Sequence, residues 1–363
     1  MSWHYMGIVY LIGDYMTKKF AVIILSIVLC IGVLFTSCSY YSSNSYETQE
    51  FLMGTVVLQR IYHKNAEMIA KEVNGRIAEI ESVMTINKPG GEVNLLNDAA
   101  GEEYVNLGKD TLYVLEKARQ YSEISNGAFD LTIGPLVESW GVFSNNPKVP
   151  SESEIDELLK LVNYKDINID LENSTAMLAK KGQIVDLGGI AKGFAADEVI
   201  EIYKKHGVES AMISLGGNIL TLGGKPDGSP WTIGIRNPRG KDGSYIGIIS
   251  VKDKAVVSSG DYERFFEKDG VRYHHILDPK TGYPADTGLI GTTIVSDISI
   301  DADALSTATF VLGLEEGMKL IESLEGIEAV FVTEDKKIYV TDGLKETFIF
   351  RDESKEFEYV EKR

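Results

Sequence analysis

Cysteine is almost missing from this sequence. Of its 363 residues only Cys30 and Cys38 carry a thiol, and both stand near the amino terminus. The rest of the chain therefore has no disulfide framework and must hold together by burial. Histidine is nearly as scarce, five in all. Basic charge is short as well: 36 Lys and Arg stand against 54 Asp and Glu, a net of −18. A surface of that sign repels nucleic acid and anionic lipid, so no nucleic-acid partner is expected. Long apolar runs are absent save one, FAVIILSIVLCIGVLF at 20–35. That run falls short of the roughly 20 residues that span a bilayer comfortably. Hydrophobic residues still make up 44% of the chain, enough for a sizeable core in one large domain or two.

What is present begins with that run. Met16-Thr17-Lys18-Lys19 precedes it, and a short basic region before an apolar stretch is an export signal rather than part of a fold. Residues 1–15 fit neither part, which makes Met16 a candidate start. Thr36-Ser37-Cys38 follows and resembles the lipobox of bacterial lipoproteins, with Phe35 where that pattern prefers Leu. The competing reading is an uncleaved signal anchor with an incidental cysteine. The resemblance implies cleavage before Cys38 and acylation of its thiol: a lipid-anchored protein at the cell membrane, facing outside the cytoplasm. Loss of 1–37 removes two basic residues and one acidic, shifting the net charge from −18 to −19. Membrane attachment would then come from the acyl chains.

Residues 38–50 are polar, charge-poor and aperiodic, the composition of a tether. The folded domain is expected over 51–363. The pattern predicts a strand over 51–62 and a helix over 66–84 with Ile69, Val73, Ile77 and Ile80 on one face. A second helix runs from Asp110, a plausible cap, to the Gly127 stop. Ser151 and Glu154 have the capping-box spacing and open a helix over 154–163. Short strands follow at 167–170, 175–179 and 183–187, then a helix over 190–206 stopped by Gly207. Alternating runs at 211–215, 218–222, 231–236, 245–251 and 271–277 come next, then a helix pair at about 303–323 and strands at 329–333 and 337–341. Helices early and a meander of strands later make an α+β fold, not a regular βαβ alternation.

Three stretches carry chemistry. In VDLGGIAKGFAAD, 185–197, a strand enters a double glycine and a helix leaves it. Backbone N–H groups at such a turn can face an anion, and Lys192 in the first turn can reach the same group. The bland account is a tight turn with a solvated lysine. In ISIDADALSTATFVLG, 298–313, Asp303 and Thr307 stand four apart and share a helix face. A carboxylate and a hydroxyl are hard donors suited to Mg²⁺, whereas taken singly an aspartate there caps the helix. In HHILDPKTGYPAD, 274–286, a strand would point His274 and His275 to opposite faces. At most one then reaches a site, and a buried, hydrogen-bonded histidine is the alternative for either.

Together HILDPKTGYPAD, DLGGIAKGFAAD, GAFDLTIGPLVESW (127–140), SLGGNI (214–219), SSGDYERFF (258–266) and DADALSTATFVLG resemble, in order, the successive motifs of the ApbE family of flavin transferases. The resemblance covers essentially all of 51–345. It implies a single large mixed domain that binds FAD and Mg²⁺, cleaves the diphosphate and attaches FMN through a phosphoester to a Ser or Thr of an exported target, releasing AMP. That target would be a redox membrane protein or an electron-transfer lipoprotein. By resemblance the metal ligands are the Asp303 and Thr307 side chains and the carbonyl of Gly189, where the family often has Ala. FAD contacts fall on Met53, Ala128, Phe129, Asp130, Asp186, Lys192 and Ile276. Where many relatives place a Tyr, this chain has Asn87, which cannot stack on an aromatic ring in the same way.

Cleaving a phosphoanhydride is mostly positioning and charge neutralisation, and a cation bridging phosphates supplies both. A hydroxyl nucleophile must also lose its proton. His275 is the preferred base; Asp303 could serve instead, or His275 could only orient a ligand. Two other activities fit the same motifs: an Mg-dependent FAD diphosphatase yielding FMN and AMP, and a non-catalytic flavin-binding lipoprotein. The Asp303/Thr307 pair argues against the latter, since storage needs no catalytic metal.

Overall fold

The computed structural model describes residues 45–361. The signal segment 1–37, the candidate start Met16, the lipidation candidate Cys38 and the first part of the tether lie outside the described residues. The chain opens with β1 (Ser45–Leu52), β2 (Thr55–Tyr62), α1 (Ala66–Met84) and α2 (Glu92–Asp98). Next come β3 (Val105–Asn106), α3 (Lys109–Ile124), α4 (Gly134–Trp140) and α5 (Glu152–Leu159). β4 (Ile167–Asp170) and β5 (Thr175–Leu178) lead into α6 (Ala191–Lys205). A run of strands follows: β6 (Ala211–Leu215), β7 (Asn218–Leu222), β8 (Trp231–Arg236), β9 (Tyr245–Val251) and β10 (Ala255–Gly260). Then come β11 (Phe265–Lys268), β12 (Val271–His274), β13 (Leu289–Ser296) and α7 (Ser299–Glu322). β14 (Glu328–Thr333), β15 (Lys337–Val340), β16 (Phe348–Phe350) and β17 (Glu358–Tyr359) close the chain.

Nine strands form one sheet in the order β1-β2-β6-β7-β10-β13-β14-β15-β17, antiparallel from β2 through β15 and parallel at the β15–β17 pair. α6 and α7 pack on each other, with α7 lying across β10 and β13. Both faces of β13 are buried, as expected of a strand between helix and second core. The main core is continuous from α1 through α6 to α7. A smaller core gathers Trp231, Ile233, Ile246 and Phe348 around the β16-β9-β8 sheet. A third, built on Trp140, Leu136, Ile155 and Leu277, sits beside the two-stranded β11–β12 ribbon.

The α+β reading holds, with local corrections. The single strand expected over 51–62 is a hairpin, because Met53 (φ 50) and Gly54 (φ 68) both take left-handed backbone and make a two-residue turn. β1 then reaches back to Ser45, so residues 45–50 are strand rather than tether: their alternation is masked by polar side chains on an exposed edge. α3 begins at Lys109 behind Gly108, and Asp110 is not its cap but lies in the first turn, paired with Arg76 of α1. Ser151 does cap α5, its Oγ accepting from the Glu154 N–H at 3.2 Å, and the helix ends at Leu159 rather than 163. Residues 183–187 form no strand beyond a bridge from Ile184 to Ile133. Their backbone is held by the Asn97 amide, which accepts from Val185 N–H at 2.8 Å and donates to its carbonyl at 3.0 Å. The expected helix pair starts earlier, at Ser299, and is divided at Gly313 (φ 79, ψ 178).

Candidate active site

The turns Met53-Gly54 and Gly216-Gly217, the start of α6 and the first turns of α7 meet at one end of the main sheet. β2 and β6 pair Val57 with Leu215, which brings the two turns together. Gly216 must be glycine: its φ is +57 and a Cβ would fall 2.0 Å from Thr55 Oγ1.

The best-defined part is carried by two helices. The Gly193 N–H of α6 donates to Asp303 Oδ2 of α7 at 2.8 Å. The backbones can approach that closely because Gly193 has no Cβ; one would lie 2.5 Å from the Ser299 carbonyl oxygen and 2.8 Å from Asp303 Cβ. Asp303 Oδ1 is left facing Lys192 Nζ at 3.7 Å. Lys192 also donates to the Gly188 carbonyl at 3.0 Å. Asp186 Oδ1 accepts from Gly188 N–H at 2.8 Å, and burial pushes its carboxyl above the usual range. A Cβ at Gly189 would sit 3.3 Å from Thr307 Oγ1 and 3.1 Å from the Phe129 ring. Glycine turn, hydroxyl and carboxylate therefore form one cradle of oxygen atoms. Among the described residues no three His, Cys, Asp or Glu side chains cluster as metal ligands, so any cation here would rest on hydroxyl and carbonyl donors as well as Asp303.

The histidines divide their roles. β12 ends at His274, one residue before His275 and three residues short of the expected strand. His274 is buried, with Nε2 donating to the Ala285 carbonyl at 3.1 Å and its ring edge-on to Phe310. Its Nδ1 accepts from Ile276 N–H at 3.3 Å, so both nitrogens are used and the residue is structural. His275 is half-buried, with Nδ1 donating to the Arg264 carbonyl at 3.3 Å, which leaves Nε2 as the lone-pair nitrogen. Protein around the cleft pushes its imidazole down to about 3, with His274 and Lys192 adding to the effect. The ring is thus neutral at physiological pH.

The remaining sequence candidates are spread more widely. Ala128, Phe129 and Ile276 are buried. Asp130 is buried and fully engaged: Oδ1 accepts from the Thr132 N–H and hydroxyl at 2.8 and 2.6 Å, and Oδ2 from Tyr164 N–H at 2.9 Å. It shapes the loop rather than presenting a free carboxylate. Met53 N–H donates to Glu81 Oε2 at 3.0 Å, while Lys88 Nζ pairs with Glu81 Oε1 at 2.7 Å. The exposed Asn87 is thus tied through Lys88 and Glu81 to the same corner as Met53. Arg264 bridges the two parts, donating to the Gly54 carbonyl at 3.1 Å while its own carbonyl receives His275.

Against this geometry, comparison with known proteins is specific. The sequence model of the ApbE family matches residues 53–331. The FAD:protein FMN transferase of Treponema pallidum (strain Nichols) is 36% identical, over 82% of this chain and 87% of that protein. The enzyme of the same description from Klebsiella pneumoniae (strain 342) is also 36% identical, over 82% and 92%. The chain belongs to the ApbE family. The crystal structure of the ApbE protein of Thermotoga maritima MSB8 superposes with a TM-score of 0.79 at 37% identity, covering 85% of this chain and 100% of that one. The flavin transferase ApbE of Vibrio cholerae gives 0.76 at 28% identity, covering 84% and 99%.

Three residues of this ApbE chain's cleft escaped the sequence reading. Glu81 ties the Met53 turn to the Asn87 bend, yet in sequence it is only a polar position on an amphipathic helix. Arg264 was quoted within SSGDYERFF without a role. Its neighbour Glu263 lies 3.6 Å from where a Gly217 Cβ would be. The surrounding protein pushes its carboxyl up to about 7, with Lys192 pulling the other way and Asp303 adding to the rise. Glu263 remains open to water at the cleft mouth, and that water works against the shift. A separate surface cavity of about 600 Å³, walled by Tyr113, Phe194, Leu220 and Ile298, lies apart from this chemistry; neither Lys192, Asp303 nor Thr307 lines it.

Proposed function

We propose that this chain transfers FMN from FAD to a hydroxyl of a protein acceptor. The observation that carries the reading is the cradle in which Asp303, Thr307 and the Gly189 turn converge beside Lys192. The Treponema and Klebsiella relatives carry the same activity in their names.

The donor set fits Mg²⁺, since carboxylate, hydroxyl and backbone carbonyl are all hard oxygens. Asp303, Thr307 and the Gly189 carbonyl would hold the ion, which supplies charge neutralisation on the diphosphate when bound. Lys192 and the N–H groups opening α6 add fixed positive potential on the same phosphates. His275 Nε2 takes the proton of the acceptor Ser or Thr as its oxygen bonds to the FMN phosphorus. The bond from that phosphorus to the bridging oxygen breaks, its electron pair passes to the oxygen, and AMP leaves carrying that oxygen. Holding the reactants in line on a rigid helix pair is the main contribution of the protein.

The acceptor is read as an exported Ser/Thr-bearing protein, a redox membrane protein or an electron-transfer lipoprotein. Cys38 is read as the lipid attachment point and the outer face of the cell membrane as the location, on the strength of the Thr36-Ser37-Cys38 stretch behind an apolar run. The test incubates the domain with FAD, Mg²⁺ and a candidate acceptor and weighs the acceptor by mass spectrometry. A gain of one FMN, dependent on Mg²⁺, is expected. Free FMN and AMP beside an unmodified acceptor would replace transfer by FAD hydrolysis.

A further inference from the structure

We propose that Asp197 is a positioning residue: from α6 it supplies the N-terminal cap that α7 lacks, and so sets where Asp303 and Thr307 stand. The inference rests on the reading of those two residues as the cation-holding pair.

A helix start leaves its first backbone N–H groups without partners, and a Ser, Thr, Asp or Asn just before it normally accepts from them. α7 has Ile298 at that place, which has no acceptor to offer. The ends are met from another element. Asp197 Oδ1 accepts from Ser299 N–H at 2.8 Å and Oδ2 from Ile300 N–H at 2.9 Å. Both oxygens of one carboxylate are thus spent on the helix start, where negative charge also suits the helix dipole.

Asp197 stands four residues after Gly193, on the same face of α6. Gly193 N–H holds Asp303 Oδ2 at 2.8 Å. α6 therefore grips α7 at two points one turn apart, one at the first residues and one at the ligand carboxylate. Ser299 Oγ adds a third tie, donating to Asn218 Oδ1 at 2.8 Å in the β6–β7 region. Asp301 does not substitute for the cap, since its Oδ1 faces Lys117 of α3 at 2.9 Å. Burial raises the Asp197 carboxyl to about 6, with Asp301 adding to the rise and the two N–H groups and Lys117 opposing it. At neutral pH it is a carboxylate, the form that can accept both bonds.

The test uses Asp197→Asn, which keeps the volume but leaves one acceptor oxygen where two are used. In metal-free protein, amide exchange across 299–303 should rise by at least about tenfold. The Mg²⁺ concentration giving half-maximal AMP release should rise about 10–100-fold, the effect usual for outer partners of a metal site, while the rate at saturating Mg²⁺ changes little. Adding Ile298→Ser should restore both readings. The Ile298 backbone is already extended (φ −119, ψ 124) and its side chain is 44% exposed, so a serine there can cap at little loss of packing. Unchanged exchange in Asp197→Asn overturns the proposal. So does raised exchange with an unchanged Mg²⁺ requirement, or a restored helix start with the Mg²⁺ defect intact. Failure of the metal reading itself is seen separately, as Mg²⁺-dependent turnover that survives Asp303→Ala.

Discussion

On one side of the cleft, Lys192, Gly193, Asp303 and Thr307 sit on two helices packed into the main core. On the other, Met53 stands in a hairpin turn, Asn87 in a bend, and Glu263, Arg264 and His275 at the base of a two-stranded ribbon. Phe143, 56% exposed, leans edge-on against His275 from the loop after α4. The helical side is close-packed: a Cβ at Gly193 would lie 2.5 Å from the Ser299 carbonyl oxygen, and its N–H holds Asp303 at 2.8 Å. The other side is made of elements that tolerate substitution and movement. In the proposed reaction the phosphoanhydride is the same whatever the acceptor, and it is the rigid half to which the proposal assigns that invariant chemistry.

That contrast can be broken most sharply at Asp303. Asp303→Ala should reduce AMP release to background at ordinary Mg²⁺ with the fold intact by circular dichroism; retained turnover would dissolve the distinction between the halves. His275→Ala should cost on the order of 10²–10⁴ in transfer rate while leaving FAD binding nearly unchanged. The pH dependence sharpens the same point. With its pKa pushed down to about 3, His275 stays neutral as pH falls, so kcat/KM should show no acid limb near 6.5 from this group. The unfolded chain takes up that proton first, so the stability linked to neutral His275 is present above about 6.5 and lost as pH falls toward 3. Disappearance of a limb near 6.5 in His275→Ala would contradict the assignment.

A smaller effect is expected from Gly193→Ala, whose methyl has nowhere to go beside Ser299 and Ile300. It should lower stability by about 1–3 kcal/mol, read as a reduced Tm, and weaken Mg²⁺ dependence through Asp303. Glu81→Ala should be mildest. Releasing the Met53 turn and Lys88 should raise the KM for FAD by a few-fold without touching kcat; an effect as large as that of Asp303→Ala would mean the loop side is as rigid as the helices.

The same contrast governs what could be read in advance. Asp303 and Thr307 declare themselves by a four-residue spacing, and the α6 turn by its paired glycines, because helical periodicity is local. The β1–β2 turn stayed hidden, since Met53 is an unusual residue for left-handed backbone and nothing in LMGT advertises it. The strand expected through His275 overshoots the end of β12 at His274 by three residues: alternation continues through 271–277 although pairing stops. Glu81, Asp197 and Arg264 act across 28 to 210 residues of separation, and no pattern in a single sequence marks such partners. The family motifs supplied the chemistry, but the engaged state of Asp130 became visible only with its three donors in place.

The opening hairpin sets a direction for the whole molecule. Its two-residue turn lies at the chemical end, so Ser45 comes to rest beside Tyr62 at the opposite end of the strands, a placement that the Glu47–Arg60 ion pair at 2.7 Å supports. Eight strand residues at about 3.3 Å each separate the two by about 26 Å. The first strand of the sheet thus enters the domain far from the turn that Met53 and Gly54 make, and residues added or removed at that entry leave the turn's own contacts with Glu81 and Arg264 untouched.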